Sequence, residues 1–256
     1  TSTVNDSDAA RKKFGICPQH DIIWGDVTPR EHLIAFANIR GVAKDKITQL
    51  AGSLLKRLDV IKKADAPSKT LSGGQKRKLS IAMAVIGNPK CVFLDEPTTG
   101  LDPNTRRFVW DYILELKKNR AVVLTTHSME EADALCARIG IMVNGKLKTL
   151  GTPQQLKAKY GTGYGMVIRL SGDVENGVEV VAKILDGKFG EDCVLDEVIS
   201  TSTYRGYKIN RGELDFGDLF RSLEDGKDEF GLLDYSITQT TMDQVFKNFA
   251  KYQLGQ

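Results

Sequence analysis

Long apolar runs are missing from this sequence. The longest uninterrupted apolar stretch is Ile81–Ile86, six residues, whereas a membrane-spanning helix needs about 20. We therefore expect that these 256 residues do not cross a bilayer themselves. The first residues are polar and contain no secretory signal. Because the chain also lacks an initiator methionine, we expect it to be part of a longer protein.

Cysteine and histidine are scarce, with four cysteines and three histidines in the chain. The cysteines are far apart and form no CxxC pair, which argues against a zinc site. Reduced thiols in a cytosolic protein are the simpler interpretation. The net charge of +3 is too small to indicate a nucleic-acid partner.

Charge is distributed unevenly along the chain. Residues 1–164 carry a net charge of +10, whereas residues 165–256 carry −7. The change of sign coincides with the glycine-rich stretch Tyr160–Gly165, which is typical of a linker or sharp turn. The sequence therefore predicts two domains, 1–164 and 165–256.

The first domain shows an α/β pattern. Apolar strands of the buried parallel type are predicted at Cys91–Leu94 and Ala121–Thr125, after an earlier short strand at Phe14–Cys17. Helical periodicity over 28–70 predicts an all-helical insertion, and with the next helix the helical subdomain extends over about 28–88. Further along, the first domain should contain the helices Pro103–Lys118, Ser128–Ala137 and Pro153–Tyr160 and an Asn144-Gly145 hairpin.

The second domain shows a βαββαβ order of elements. Strands are predicted at 166–171, 193–199, 204–210 and 231–238, and helices at 174–186, 215–224 and, finally, 241–252. This order is that of the ferredoxin-like, or split βαβ, fold. We therefore expect an α+β domain here.

The segment Leu71–Gln75, Leu-Ser-Gly-Gly-Gln, carries the clearest chemical signal. Ser72 sits at a predicted helix start, and Gly73 and Gly74 leave the backbone bare behind it. Backbone N–H groups and the positive end of the helix dipole would then converge, which suits an anion. The alternative is an ordinary helix N-cap with glycines that serve only the turn.

Two carboxylates follow the apolar strand that begins at Cys91. Asp95 and Glu96 would lie at the carboxyl edge of a parallel sheet, where α/β folds bind their ligands. Asp95 can hold Mg²⁺, and Glu96 can accept a proton from an attacking water. His127 follows the neighbouring strand and should project near Glu96. Gln19, after the first strand, can reach the metal and the water through its amide.

Together these residues resemble the ATP-binding cassette of ABC transporters, a P-loop NTPase-type fold. The match covers residues 14–160 in the order and spacing of the family. The resemblance identifies five motifs: the Q-loop at Gln19, the signature motif at Leu71–Gln75, the Walker B strand at Cys91–Glu96, the D-loop at 99–102 and the switch histidine His127.

The resemblance also implies roles and partners. Two cassettes would close head to tail on two MgATP, so the signature motif Leu71, Ser72, Gly73, Gly74 and Gln75 would contact the nucleotide of the opposing cassette. Asp95 and Gln19 would bind Mg²⁺ and Glu96 would activate water. His127 would steady the γ-phosphate, Gln19 would sense it and Asp102 would couple the two sites.

Three stretches of the sequence resemble more specifically the eukaryotic A subfamily of these transporters, whose substrates are typically lipids. The relevant stretches are Leu71–Ser80, His127–Glu131 and Ile141–Lys146 followed by Leu150-Gly151. The subfamily implies transmembrane domains as partners, a place on the cytoplasmic face of a membrane, and a regulatory domain after each cassette. The acidic region 165–256 suits that domain.

One departure from the family is large. The chain contains no G-x-x-x-x-G-K-[ST], the loop that holds the β- and γ-phosphates. Gly161–Gly165 has no following Lys-Ser/Thr and does not replace it. In the family this loop lies upstream of Gln19 and would precede Thr1. We therefore expect weak or no ATP binding by the isolated chain, although residues 71–75 can still complete a partner's site.

Other interpretations stay open at this point. The chain could belong to an ABC ATPase without a transport function, or could be a non-hydrolysing interaction module whose partner brings the complete site. The helical insertion is a candidate contact for the membrane domains. Next to it, Ile22, Ile23 and Trp24 are equally compatible with contact to a coupling helix and with simple core packing.

Overall fold

The computed structural model describes residues 10, 13–161, 163–171, 177–196, 204–209, 215–225, 227, 231–239 and 241–251. The contacts divide the chain into two compact units, Thr1–Glu131 and Ala132–Gln256. Within the described residues, no helix combines the length and the apolar character that a bilayer crossing requires. All four cysteines are free thiols.

A parallel sheet forms the centre of the first unit. Its strands β1 (Phe14–Cys17), β2 (Cys91–Asp95) and β3 (Ala121–Thr125) lie in that order. Cys17 pairs with Leu94, and Asp95 pairs with Thr125, so the carboxyl ends of the three strands meet at one edge. The predicted parallel strands are confirmed.

Only helices occur between β1 and β2, which confirms the helical insertion. They are α1 (Pro29–Ile39), α2 (Lys44–Arg57), the 3₁₀ turns Ile61–Lys63 and Ser68–Thr70, and α3 (Gly73–Val85). Thr28 forms a capping box with Glu31 at the start of α1, as the Thr-Pro pair predicts. Helix α3 packs on β1 at Gly15, where a Cβ would clash with the carbonyl oxygen of Ala84.

The helices that follow β2 and β3 are both shorter than the sequence predicts. Helix α4 spans Pro103–Leu116, and α5 spans Met129–Leu135. Ser128 lies outside α5 because its hydroxyl accepts a hydrogen bond from the backbone N–H of Glu131, as a capping side chain does.

One face of the parallel sheet is uncovered in the first unit. Ile16, Phe93 and Val123 lie side by side in the strand register, and they are 62%, 38% and 49% exposed. On the opposite face Val92 and Leu94 are fully buried. Parallel sheets are almost always covered on both faces, so the exposed row departs from the burial that the sequence predicts for these strands.

The second unit begins within α5. It continues with a hairpin of β4 (Ile139–Val143) and β5 (Lys146–Gly151), followed by α6 (Pro153–Tyr160). Asn144 and Gly145 both have positive φ, as the predicted tight turn requires. The C-terminal helix, α9 (Met242–Lys251), packs against α6 through the rings of Tyr160 and Phe249. The contact boundary therefore lies at Glu131/Ala132, whereas the division into 1–164 and 165–256 stays a prediction.

The remaining elements confirm the ferredoxin-like order. They are β6 (Tyr164–Leu170), α7 (Gly177–Phe189), the 3₁₀ turn Gly190–Asp192, β7 (Cys193–Asp196), β8 (Tyr204–Ile209), α8 (Phe216–Asp225) and β9 (Leu232–Gln239). The four strands form an antiparallel sheet in the order β7-β8-β6-β9. Met166, Ile168 and Leu185 are central members of its core. Of the predicted elements, residues 174–176, 197–199, 210 and 252 and the linker residue 162 lie outside the described residues.

Candidate active site

Three side chains converge on one oxygen atom at the carboxyl edge of the parallel sheet. Glu96 Oε2 lies 3.3 Å from Nε2 of Gln19, 3.3 Å from Nδ1 of His127 and 2.9 Å from the hydroxyl oxygen of Thr99. Gln19 follows β1, Glu96 follows β2 and His127 follows β3, so the order of the strands brings them together. The sequence predicts the meeting of Gln19, Glu96 and His127, but not the contribution of Thr99.

The backbone of Glu96 is held in an unusual conformation. Its φ is +43°, in the left-handed region that non-glycine residues rarely adopt. Its N–H donates to both the carbonyl and the hydroxyl oxygen of Thr125, at 3.1 and 3.2 Å. Its carbonyl accepts a 2.9 Å hydrogen bond from Arg77. Strain of this kind costs about 1–3 kcal/mol and persists only where the surroundings fix it.

The surroundings of the Glu96 side chain favour its ionised form. The hydrogen bond from Thr99, followed by the one from His127, lowers the pKa of the Glu96 carboxyl below its ordinary value. Hydrogen bonds to a carboxylate stabilise its charge, so protonation requires a more acidic solution. At neutral pH Glu96 is therefore in the form that can accept a proton.

Asp95 ends β2 with its carboxylate exposed at the same edge. One of its carboxylate oxygens accepts a hydrogen bond from the hydroxyl of Thr125. Among the described residues, no group of three or more His, Cys, Asp or Glu side chains is arranged to hold a metal. Mg²⁺ commonly binds one or two carboxylates together with substrate phosphates. Asp95 with the Gln19 amide fits that mode of binding and does not fit a cage made by the protein alone.

The signature segment forms the N-terminus of α3. The hydroxyl of Ser72 accepts from the backbone N–H of Gln75, and the Gln75 side chain accepts from the backbone N–H of Ser72, which is a capping box. The N-cap alternative is thus correct in geometry. It does not exclude an anion site, because Ser72 and Gly73 are exposed and a Cβ at Gly73 would meet nothing within 4 Å.

Gly74 brings a second helix N-terminus close to the first. A Cβ at Gly74 would lie only 3.0 Å from Cγ2 of Thr105, in the first turn of α4. Asp102 caps α4 by accepting the backbone N–H groups of Asn104 and Thr105 at 3.1 and 3.0 Å. The side-chain hydrogen bond from Thr105, followed by the bond from the backbone N–H of Thr105, lowers the pKa of the Asp102 carboxyl. The starts of α3 and α4 therefore lie side by side. The positive ends of the two helix dipoles then both favour an anion at this place.

The sequence does not predict the burial of two charged residues near the site, Arg77 and Glu131. Arg77 is only 4% exposed and contacts the segments after β1 and β2. Glu131 is 1% exposed and accepts hydrogen bonds from Thr98 at 2.8 Å and from the indole N–H of Trp110 at 3.1 Å. Glu131 thereby connects the helix after His127 to the loop after Glu96. Lys and Arg within a helix ordinarily indicate a solvated face, so no simple pattern marks Arg77.

The segment after Gln19 presents apolar side chains to solvent. Trp24 is 52% exposed and Ile22 63% exposed. Trp24 stacks on the buried ring of His32 and donates its backbone N–H to Nε2 of that ring at 3.0 Å. Core packing therefore accounts for only one face of Trp24, and it does not account for Ile22.

Comparison with known proteins agrees with this geometry. A family model described as "ABC transporter" matches residues 1–99. Human "ATP-binding cassette sub-family A member 2" is 43% identical over 244 residues, 95% of this chain and 10% of the human protein. "ABC transporter A family member 9" of Arabidopsis thaliana is 42% identical over 94% of this chain and 25% of its own length. Rattus norvegicus "ATP-binding cassette sub-family A member 7" is 41% identical over 98% of this chain and 11% of its own length.

A solved structure shares the fold. The structure titled "Structure of ATP binding subunit of ABC transporter" superposes with a TM-score of 0.57 at 25% identity, covering 63% of this chain and 68% of the other. In sequence and in fold the chain is thus similar to the ATP-binding cassette of ABC transporters. Within that family it is similar to the A subfamily over nearly its whole length, and it spans about a tenth of the mammalian members and a quarter of the plant member it matches.

Proposed function

We propose that this chain supplies the catalytic carboxylate and the signature motif of an ATP-hydrolysing cassette that powers lipid transport across a membrane. The convergence of Gln19, Thr99 and His127 on Glu96 Oε2 carries the hydrolytic part of the proposal. Phosphoryl transfer depends almost entirely on positioning and on charge stabilisation. A carboxylate that is ionised, fixed by its backbone and surrounded by polar groups meets those needs.

Each polar group at the sheet edge has a defined task in this reaction. Glu96 takes the proton of the water that attacks the γ-phosphate. The side chains of Gln19 and His127 both lie against Oε2 of Glu96. From there they contact the water and the phosphate. Asp95, assisted by the Gln19 amide, holds Mg²⁺. When bound, Mg²⁺ neutralises charge on the phosphate oxygens.

The signature motif acts on a second cassette. Ser72, Gly73 and Gly74 donate hydrogen bonds to a γ-phosphate held by that cassette, Leu71 and Gln75 support the turn, and Asp102 couples the two sites. The exposed helix start at Gly73 and the adjacent N-terminus of α4 support this role, because both favour an anion. A head-to-tail pair of cassettes is the arrangement in which such a helix tip meets a bound nucleotide.

The isolated chain should bind ATP weakly or not at all. It contains no G-x-x-x-x-G-K-[ST] loop, and the row of Ile16, Phe93 and Val123 on its parallel sheet is uncovered. An apolar face of this kind normally packs against further structure. Calorimetry tests the point: no heat of MgATP binding is expected at micromolar concentrations, and micromolar affinity would contradict it.

Transport, lipid substrate and location rest on similarity to the A subfamily. The transmembrane domains of the same protein and a second cassette are the proposed partners, on the cytoplasmic face of a membrane. The exposed Trp24 and Ile22 beside the helical insertion are suitable contacts for the membrane domains.

The test uses the full-length protein in lipid vesicles. Wild-type protein should hydrolyse MgATP and move a labelled lipid between leaflets, and both activities should fall about 10²–10⁴-fold in Glu96→Gln because a general base contributes that much. Glu179→Gln, an exposed carboxylate of α7, is the matched control and should behave as wild type. Hydrolysis without lipid movement would remove the lipid assignment and leave the ATPase assignment intact.

A further inference from the structure

Arg77 occupies a central place in the first unit. It lies on α3, five residues after Ser72, and its side chain is 4% exposed. A guanidinium has five N–H donors in a rigid planar fork and cannot lose its charge in a protein. Its surroundings therefore have to provide acceptors in matching directions.

One side of the guanidinium binds the segment that follows β1. The Nη1 atom of Arg77 donates to the carbonyl oxygens of Pro18 at 2.6 Å and of Gln19 at 3.1 Å, and to Oδ1 of Asp21 at 3.2 Å. The backbone that carries the Gln19 amide is thus attached directly to α3.

The other side binds the end of β2 and the segment that follows it. The Nη2 atom donates to the carbonyl oxygens of Asp95 at 2.6 Å and of Glu96 at 2.9 Å, and Nε donates to that of Pro97 at 2.9 Å. These carbonyls are consecutive in the chain, and the middle one belongs to Glu96, whose φ is strained. Arg77 therefore holds the backbone from which the catalytic carboxylate projects.

This arrangement favours positioning over general stabilisation. Burying a charge is costly unless it is fully hydrogen-bonded, and a buried ion pair is by itself weak support for stability. Five backbone carbonyls and a single carboxylate accept from Arg77. Four of the five carbonyls belong to the loops that carry Gln19 and Glu96, and the fifth is that of Asp95, the last residue of β2.

We propose that Arg77 is a positioning residue that couples the signature motif at the start of α3 to Gln19 and Glu96 of the same cassette. The coupling rests on the proposed function. A phosphate of the opposing cassette that engages Ser72 and Gly73 acts on the N-terminus of α3. Arg77 lies little more than one helical turn away. A shift of α3 therefore moves, through the hydrogen bonds of Arg77, both loops of the hydrolytic site in the same cassette.

The test is Arg77→Lys in the full-length protein, with Arg107→Lys as the matched control. Lysine keeps the positive charge but lacks the planar fork, so it cannot bond both loops at once. We expect kcat for MgATP hydrolysis to fall roughly 10²-fold, the loss that follows when a catalytic group is misplaced by about 1 Å. The KM for MgATP should change less than about threefold. Arg107 is exposed on α4, and its substitution should leave both constants unchanged.

A binding measurement separates positioning from folding. In a Glu96→Gln background, which stops turnover, Arg77→Lys should retain the MgATP affinity of Glu96→Gln alone. Lost affinity would mean that Arg77 serves folding and would overturn the proposal, as would a kcat within threefold of wild type. Wild-type protein without any ATPase activity would instead contradict the proposed function, so the two failures are distinguishable.

Discussion

The Nδ1 atom of His127 lies 3.3 Å from Oε2 of Glu96, although the two residues are 31 positions apart in the chain. The parallel pairing of β2 and β3 brings them together, because each follows the carboxyl end of its strand. The contact lowers the pKa of the Glu96 carboxyl, second in effect to Thr99. The histidine thus helps to keep the proposed general base ionised.

Substitution of Thr99 should move the acid limb of ATP hydrolysis. The Thr99 hydroxyl is the largest cause of the lowered pKa of Glu96. With a lowered pKa the carboxylate stays ionised further into acid solution, so Thr99→Val should raise the pKa and shift the loss of activity to higher pH. The measurement is kcat against pH in the full-length protein.

Thr99→Ser is the control for that experiment. Serine keeps the hydroxyl that donates to Glu96 Oε2 at 2.9 Å, and its profile should match wild type. An acid limb that is the same in Thr99→Val and wild type would show that the hydroxyl does not set the ionisation of Glu96.

The two signature glycines should respond differently to alanine. A Cβ at Gly74 would lie 3.0 Å from Thr105, whereas a Cβ at Gly73 would meet nothing within 4 Å. Gly74→Ala should therefore destabilise this chain by about 1–3 kcal/mol, the usual cost of overpacking. Gly73→Ala should be neutral or stabilise the helix by up to about 1 kcal/mol. Chemical denaturation followed by circular dichroism measures both.

A second substitution checks the cause at Gly74. Thr105→Ala removes the two atoms that a Cβ at Gly74 would approach, Cγ2 and Oγ1. The cost of Gly74→Ala should then largely disappear in the double mutant. Equal destabilisation of Gly74→Ala with and without Thr105 would contradict the steric explanation.

The buried ring of His32 should be important for stability. The ring is fully buried. It accepts the backbone N–H of Trp24 at Nε2, while Nδ1 lies 2.8 Å from the carbonyl oxygen of Thr28, so the proton is on Nδ1. His32→Phe leaves the backbone N–H of Trp24 without its acceptor, whereas the Thr28 carbonyl oxygen keeps the backbone N–H of residue 32 as a donor. The expected loss is about 1–3 kcal/mol in the free energy of unfolding.

His20→Phe provides the comparison for His32. His20 is exposed, so its substitution should change the free energy of unfolding by less than about 0.5 kcal/mol. Urea denaturation of this chain measures both variants. If His32→Phe were as stable as wild type, the two hydrogen bonds of the ring would not contribute as the geometry indicates.

The sequence could predict the strand positions. It could also predict that Gln19, Glu96 and His127 lie close together. Parallel strands present their carboxyl ends at a common edge, so residues that follow them must be neighbours. The contribution of Arg77 could not be predicted, because its acceptors are backbone carbonyls of Pro18, Asp95 and other loop residues. Carbonyls carry no side-chain signal, and their direction depends on the folded loops.

The contact boundary between the units shows a second limit of sequence reasoning. Glycines at 160–165 and the change of charge predict a boundary at 164/165, since both signals are local. The packing of Tyr160 against Phe249 joins residues almost 90 positions apart. Such a contact follows from the tertiary structure alone, and for this reason the hairpin and α6 group with the C-terminal elements.

The state of the bound nucleotide in Glu96→Gln tests the central claim most directly. Full-length wild-type and variant protein are incubated with MgATP, unbound nucleotide is removed, and the remaining nucleotide is identified. If Glu96 is the general base, the variant should retain ATP while the wild type contains ADP. Bound ADP in the variant, formed at the wild-type rate, would contradict the assignment of Glu96 and with it the proposed site.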